Sequence, residues 1–116
     1  DPSPEVVEAV KAAVAWFEAT KIEGKKVVTV QLAPERREDP AIAVDRIVVD
    51  DPQAPPMWAR YYELDTDEIF MCRRDGVKVH RLCDVPAERR VGYAWYGPWG
   101  NSILKKYPAW LAKIEK

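Results

Sequence analysis

Residues 57–97 carry most of the information in this chain and read MWARYYELDTDEIFMCRRDGVKVHRLCDVPAERRVGYAWYG. The stretch holds four of the five tyrosines, two of the five tryptophans and six of the nine arginines. A guanidinium group matches a carboxylate or a phosphate with two hydrogen bonds, and neighbouring rings restrict its motion. Aromatic faces also provide rigid platforms for the apolar faces of sugar rings. The stretch therefore suggests a site for an anion with ring-like parts, but on these residues alone the favoured interpretation is a pair of strands with surface arginines over an aromatic core.

The dipeptide Asp75-Gly76 is the clearest local signal in the chain. It predicts a two-residue hairpin turn. The arms of this hairpin are residues 69–74 and 77–82. In that register Cys72 lies opposite Val79, and Cys83 is offset by four residues, on the order of 13 Å along the strand. Since this is too far for a disulfide, we expect two free, buried thiols.

A third strand is predicted over residues 58–64, after a stiff connection with three prolines in residues 50–56. Side chains alternate along a strand, so Trp58, Arg60 and Tyr62 should share one side. Residues 84–90 follow the hairpin and suit a short helical turn that presents Arg89 and Arg90.

The remaining elements predict an α+β fold with an N-terminal helix, short antiparallel strands with a hairpin, and a C-terminal helix. Ser3 and Pro4 form a helix start, and the apolar spacing extends that helix over residues 4–20. Its Trp16 and Phe17 are assigned to the core rather than to a ligand platform. Strands follow at residues 26–32 and within residues 42–49. The last helix begins near residue 102, capped by Asn101, with Pro108 as a break or restart. Its predicted buried side is Ile103, Leu104, Trp110, Leu111 and Ile114.

Two polar features are weighed as sites and interpreted as structural. The acidic run of residues 65–68 lacks the glycine and the final glutamate of a calcium loop, so it predicts an ordinary turn. His80 is the only histidine and has no recognisable nucleophile or carboxylate partner, so a structural role is favoured over a general base. No metal site or other cofactor is predicted within the chain.

Length and charge narrow the function classes. The 116 residues fit a single domain, 1–116, and an apolar fraction of 47 % indicates a folded chain. The 18 basic and 19 acidic residues balance, which argues against nucleic acid or a membrane surface as a general partner. The chain begins at Asp1 without methionine and without a recognisable signal peptide, so we expect a processed or truncated chain.

Four blocks of the central stretch, in order and spacing, resemble the C-terminal part of the family-10 pectate lyases. These blocks are residues 58–62 (WARYY), Phe70, residues 74–78 (RDGVK) and residues 88–97 (ERRVGYAWYG). Residues 13–18 (AVAWFE) with Lys21-Ile22 resemble the preceding helix of that family, and residues 107–110 (YPAW) resemble its end. The resemblance thus extends over nearly the whole chain.

The resemblance implies a segment of a longer, secreted or periplasmic enzyme that is built on an α/α toroid with added β structure. In that family the catalytic arginine base and the aspartates of the calcium site lie N-terminal to the matching region. It implies no catalytic residue and no calcium ligand in this chain, although calcium is expected for the complete enzyme. It assigns Arg60, Arg74 and Arg89 to the binding of substrate carboxylates. Among the aromatic residues of the last block, which are otherwise assigned to packing, Tyr96 is expected to touch the ligand.

Two functional hypotheses follow. In the first, the chain is the C-terminal segment of a pectate lyase, which cleaves polygalacturonate by β-elimination, and its partners are that polysaccharide and the missing N-terminal part of the enzyme. In the second, it is a free-standing, non-catalytic module that binds pectin or another acidic polysaccharide. A scaffold without a sugar role is disfavoured because all three arginines are retained in the family register. Arg36 and Arg37 are expected to lie apart from these three, in a solvated loop.

Overall fold

The computed structural model describes residues 2–115 and has three helices and short antiparallel strands, so the predicted α+β class is confirmed. The elements in chain order are α1 (Pro4–Thr20), β1 (Lys25–Gln31), β2 (Val44–Asp50), β3 (Trp58–Ala59), β4 (Tyr61–Tyr62), β5 (Ile69–Cys72), β6 (Lys78–Val79), α2 (Ala87–Gly92), β7 (Tyr96–Gly97) and α3 (Asn101–Ile114). No helix among the described residues is long and apolar enough to cross a membrane.

Helix α1 has the predicted bounds. The Ser3 side chain accepts a hydrogen bond from the backbone N–H of Val6 at 3.3 Å, and Pro4 occupies the first turn, where no intrahelical donor is needed. Val14 is the buried residue of the apolar stripe. The aromatic residues Trp16 and Phe17, expected in the core, are half-buried and contact residues of the central stretch.

Strands β1 and β2 form an antiparallel ribbon that runs from the pair Lys25–Asp50 to the pair Gln31–Val44. Both strands begin or end within two residues of the predicted bounds. An ion pair between Lys26 and Asp51, 3.1 Å apart, ties the open end of the ribbon. The ribbon contacts α2 through β2, and this contact places the arginine-bearing helix.

The predicted single strand over residues 58–64 is wrong, because the chain changes strand partners at Arg60. Strand β3 pairs with β7, whereas β4 pairs with β5. At the junction the Arg60 backbone N–H donates to the carbonyl of Trp95 at 2.7 Å. Trp58 and Ala59 are therefore both buried while Arg60 is exposed, so side-chain alternation does not place Trp58 and Arg60 in the same environment.

The hairpin is present, but its predicted two-residue turn is wrong. Cys72 pairs with Lys78, and the Arg73 N–H donates to the Val77 carbonyl at 2.9 Å, so the loop holds three residues, 74–76. Gly76 has φ 85°, the left-handed conformation that three-residue hairpin loops require at their last position. The register is thus shifted by one residue from the prediction.

Both cysteines are free, as predicted, although the reason differs. Cys83 does not continue the hairpin strand, because it lies in the short 3₁₀ turn Leu82–Asp84. The expectation that both thiols are buried is wrong, since Cys72 is half-buried and Cys83 is exposed.

The core is small and centres on the hairpin and the segment after it. A cluster of four buried side chains consists of Met71, Leu82, Val85 and Trp95. Trp58, 1 % exposed, lies in a second contact region, where its ring meets Phe17 edge-on at 5.6 Å and its Nε1 donates to the Phe17 carbonyl. This second region joins α1 to the central stretch.

Helix α3 differs from the prediction in three details. It continues through Pro108, whose ring is exposed, so the expected break is wrong. Gly100 occupies the N-cap position, and the Asn101 side chain donates instead to the Pro56 carbonyl at 2.9 Å. Ile103, expected on the buried side, is 44 % exposed because α3 meets the rest of the fold mainly through α1.

Candidate functional site

Two of the three predicted arginines are connected by a row of aromatic rings. We call Arg60, Tyr61, Trp95, Tyr93 and Arg89 the arginine–aromatic row. The guanidinium carbon of Arg60 lies 5.8 Å from the Tyr61 ring centroid, and that of Arg89 lies 4.8 Å from the Tyr93 centroid. Between these ends, Trp95 is 6.1 Å from Tyr61 and 5.8 Å from Tyr93, centroid to centroid. The five side chains therefore form one continuous contact chain.

Trp95 fixes the positions of both arginine-bearing segments. Its carbonyl accepts the backbone N–H of Arg60, and its indole Nε1 donates to the carbonyl of Arg89 at 2.9 Å. The ring is 4 % exposed and belongs to the main core cluster. Because a buried and hydrogen-bonded ring has little freedom, the separation between the two segments is set by the core.

Arg89 is held against the hairpin as well as against its ring. Its Nε donates to the carbonyl of Cys72 at 3.2 Å. The Tyr93 ring under its guanidinium is 44 % exposed, so the ring presents free aromatic surface beside a cation. This combination suits an anionic group attached to an apolar ring face.

Arg74 lies in the hairpin loop and reaches α2 through an acidic side chain. Its Nε is 2.9 Å from the Glu88 carboxylate, and the side chain of Arg74 is 74 % exposed. Glu88 precedes Arg89 in α2, so this ion pair connects the hairpin loop to the helix that carries Arg89. Sequence reasoning did not single out Glu88, although its position in the block ERRVGYAWYG, beside Arg89, was a signal.

Tyr96 lies in strand β7, half-buried against the main core cluster. It lines three clefts, and none of them includes Arg60, Arg74 or Arg89. Burial raises the pKa of the Tyr96 hydroxyl above its ordinary value, and the nearby Tyr62 and Cys83 act in the same direction. Contact between Tyr96 and a ligand therefore stays a prediction without support from the neighbours of this ring.

Arg90 has a structural environment unlike that of Arg89. It is 5 % exposed, and its guanidinium donates to Asp45, to Glu38 at 2.9 Å and to the Val85 carbonyl at 2.7 Å. Burial opposes the charge of Arg90, but hydrogen bonds to the two carboxylates outweigh it and raise the pKa of the guanidinium. Arg90 thereby fastens α2 to β2 and to the loop that precedes β2.

Arg73, which flanks Arg74, and the more distant Arg37 have partners of their own, whereas Arg36 is exposed. Arg73 lies 3.5 Å from Asp75 within the hairpin loop. Arg36 ends a short 3₁₀ turn and is exposed, while Arg37 donates to the Leu32 carbonyl at 3.3 Å.

A cleft of about 460 Å³ at the Arg60 end of the row was not predicted. It is lined by Trp16, Arg60, Tyr61, Tyr62, Glu63, Leu64 and Asp67. Trp16 donates from its indole Nε1 to Asp67 at 3.0 Å, so α1 and the acidic turn meet here. Sequence reasoning assigned Trp16 to the core and residues 65–68 to an ordinary turn, since a contact between residues 51 positions apart has no local signal.

Potential metal ligands do not cluster in the part of the chain that the structure describes. Within residues 2–115, no three His, Cys, Asp or Glu side chains come together as a metal site. His80 contacts the Ile69 carbonyl at 3.0 Å and lies 3.5 Å from Glu68.

Comparison with known proteins gives matches to one family. Residues 1–104 match the family model of pectic acid lyase. Among solved structures, a mutant family 10 polysaccharide lyase from Cellvibrio cellulosa, in complex with trigalacturonic acid, is 32 % identical with a TM-score of 0.69, covering 90 % of this chain and 30 % of that chain. A structure of the family 10 polysaccharide lyase from the same organism is 32 % identical with a TM-score of 0.68, covering 89 % of this chain and 29 % of that one. A comparison with curated proteins gave no match.

The present chain thus spans about 30 % of the length of the solved structures that it resembles. Since the family model extends over all but the last 12 of the 116 residues, the chain belongs to the pectic acid lyase family.

Proposed function

We propose that this chain is the C-terminal segment of a pectate lyase and that Arg60, Arg74 and Arg89 bind the carboxylates of polygalacturonate. The observation that carries the proposal is the arginine–aromatic row, with Arg74 joined to its Arg89 end through Glu88. Family membership and a neighbour solved with trigalacturonic acid support the choice of ligand.

The chemistry of the polymer suits several separate cations. Polygalacturonate carries one carboxylate on each sugar, so a bound chain presents a series of anions at regular spacing. Three arginines on a rigid base match such a series better than one cluster would, because each guanidinium forms a forked pair with one carboxylate. The exposed rings of Tyr61 and Tyr93 add apolar surface beside two of these cations.

The proposed reaction of the complete enzyme is β-elimination. A base removes the proton at C5 of a galacturonate, and the glycosidic oxygen at C4 leaves. Negative charge builds on the carboxylate next to C5 as the C–H bond breaks, and a cation held at that carboxylate lowers the barrier electrostatically. In this chain, the arginines bind and orient the uronates.

The remaining parts of the proposal concern residues outside this chain. The base and calcium are assigned to the N-terminal part of the complete enzyme, where the segment would complete an α/α toroid. Since pectic polymers are extracellular, the enzyme is proposed to be secreted or periplasmic.

The same row supports a second candidate, a free-standing binding module, because binding of the polymer requires no base. The two candidates differ in whether a longer protein that carries this segment cleaves the polymer. Polygalacturonate is incubated with the chain and calcium, and unsaturated product is followed by its ultraviolet absorbance. We expect no turnover from the chain alone and turnover when the complete enzyme carries the same segment.

Calorimetric titration with trigalacturonate tests the binding role. Replacement of Arg60, Arg74 or Arg89 by Ala should weaken binding by roughly 1.5–3 kcal/mol per lost charged pair. Replacement by Lys should recover only part of this, since Lys keeps the charge and loses the fork. Arg36→Ala is the matched control and should leave the affinity unchanged. Equal affinities for all three Ala variants and the unsubstituted chain would overturn the proposal.

A further inference from the structure

We propose that the cleft beside Arg60 is a subsite for a sugar whose C6 group is uncharged, namely a methyl-esterified galacturonate next to the residue that Arg60 holds. The inference rests on the proposed binding of a galacturonate polymer and adds a preference within it. For brevity we call this cleft the Trp16 cleft, and its lining residues are those given above.

The walls of the Trp16 cleft suit a pyranose ring. Trp16 is half-buried and meets Tyr62 edge-on at 4.9 Å, which fixes the indole plane. Tyr61 is 41 % exposed and is stacked on Phe70 at 5.5 Å. Leu64 is 97 % exposed, so an apolar side chain at the mouth of the cleft is almost wholly in water. A volume of about 460 Å³ lies in the range of small-molecule sites.

The charges of the Trp16 cleft disfavour a second uronate. Two carboxylates and Arg60 line it, and the guanidinium of Arg60 is assigned to the neighbouring uronate. The carboxylate of Glu63 is 2.7 Å from the ammonium of Lys78. The carboxylate of Asp67 contacts a neutral donor, the indole N–H of Trp16, and forms no ion pair within residues 2–115. A free galacturonate placed here would bring its anion toward an unneutralised one, whereas a methyl ester would not.

The geometry of Asp67 is fixed by the fold. Its backbone N–H donates to the Glu63 carbonyl at 3.0 Å, and it is the only described non-glycine residue with positive φ, 56°. Aspartate and asparagine both tolerate this left-handed conformation. An Asp67→Asn variant therefore keeps the turn and the acceptor for Trp16 while removing the charge.

Continuity with the row places the Trp16 cleft next to the proposed uronate sites. Arg60 and Tyr61 belong to both, so a polymer that follows the row past Arg60 enters the cleft with its next sugar. The segment would then bind carboxylates along the row and an esterified residue at its end. This arrangement fits a partly methyl-esterified pectin better than a fully de-esterified one.

The test compares three tetragalacturonates by calorimetric titration at low salt: the free acid, the methyl ester at the reducing end and the methyl ester at the non-reducing end. The chain should bind one of the two terminal esters more tightly than the free acid. Asp67→Asn should raise affinity for the free acid roughly three- to fivefold, the size of the repulsion between unit charges about 4 Å apart in water, and leave the ester unchanged. Asp65→Asn, in the same turn and outside the cleft, is the control.

A second variant addresses the apolar wall without touching the core. Leu64→Ser changes an almost wholly exposed side chain, so the fold should be unaffected, and it should weaken binding of the preferred ester about twofold to fivefold. The subsite would be overturned, and the proposed function left standing, if the arginine variants weakened binding but Asp67→Asn bound the free acid with the same affinity as the unsubstituted chain. Absence of arginine-dependent binding of every tetramer would overturn both.

Discussion

Arg74 and Glu88 form an ion pair, with the Arg74 Nε atom 2.9 Å from a carboxylate oxygen of Glu88. Both side chains are exposed, Arg74 at 74 % and Glu88 at 43 %, so the pair contributes on the order of 0–1 kcal/mol to stability. Its position matters more for the proposed binding role, in which a substrate carboxylate would have to compete with Glu88 for the Arg74 guanidinium. Arg60 and Arg89 lie instead against tyrosine rings, which leave their charges unneutralised.

Glu88→Gln should therefore strengthen binding of trigalacturonate by about twofold to fivefold, since a neutral amide competes weakly for Arg74. Calorimetric titration at low salt measures the effect, and Glu8→Gln on the exposed face of α1 is the control. In an Arg74→Ala background the gain should vanish. A weaker affinity for Glu88→Gln would show instead that the carboxylate holds Arg74 in its binding position.

Arg90→Met should lower the free energy of unfolding by about 2–4 kcal/mol, because it leaves Asp45 and Glu38 without their shared cation at a buried position. The loss falls below that of a wholly buried pair since the Glu38 side chain is 60 % exposed. Urea denaturation measures it. Arg73→Met, which removes an exposed pair with Asp75, should change stability by less than about 0.5 kcal/mol. Equal losses for both variants would contradict the structural role of Arg90.

Local sequence patterns were enough to predict the helices and strands whose residues interact with near neighbours in the chain. The bounds of α1 followed from Ser3, Pro4 and the spacing of apolar residues, all of which act within one or two turns. The hairpin followed from Asp75-Gly76, but its register did not. A left-handed glycine fits either a two-residue or a three-residue loop, and the choice between them depends on pairing further along the arms.

Non-local contacts account for what the sequence did not predict. The predicted strand is interrupted at Arg60, where the backbone N–H donates to the carbonyl of Trp95, 35 positions later. The chain pairs with one strand before this point and with another strand after it. The Trp16 cleft likewise depends on a contact between α1 and Asp67. The family register identified the candidate arginines. The aromatic row that connects two of them could be seen only in the folded structure.

The open end of the β1–β2 ribbon should be sensitive to acid. A hydrogen bond and charge attraction from Lys25 lower the pKa of Asp50 below its ordinary value of 3.8. The pKa of Asp51 is also lowered, first by the backbone N–H of Gln53 and then by Lys26. A pKa that is lower in the folded state gives stability that is present above the ordinary value and lost as the pH falls through the folded value. The free energy of unfolding, measured with urea, should therefore decline below about pH 4.

Asp51→Asn should flatten that acid decline, because the amide keeps an acceptor for Gln53 but no longer titrates. Asp65→Asn, which removes an exposed carboxylate from another turn, should leave the slope unchanged. An unaltered slope for Asp51→Asn would assign the acid sensitivity to other carboxylates.

Gly100 lies where α1, β3 and α3 meet, and an added methyl group there should disturb all three. A Cβ atom at this position would lie 2.6 Å from Cζ2 of Trp58 and 2.7 Å from Cδ1 of Phe17, inside van der Waals contact. Gly100→Ala should therefore lower the free energy of unfolding by about 1–3 kcal/mol, measured by urea denaturation, since Trp58 is buried and cannot shift freely. Gly92→Ala is the matched control, because a Cβ there meets no atom within 4 Å, and it should be neutral or stabilising by up to about 1 kcal/mol. If Gly100→Ala were as stable as Gly92→Ala, α3 would have to pack less closely on Trp58 than the structure shows.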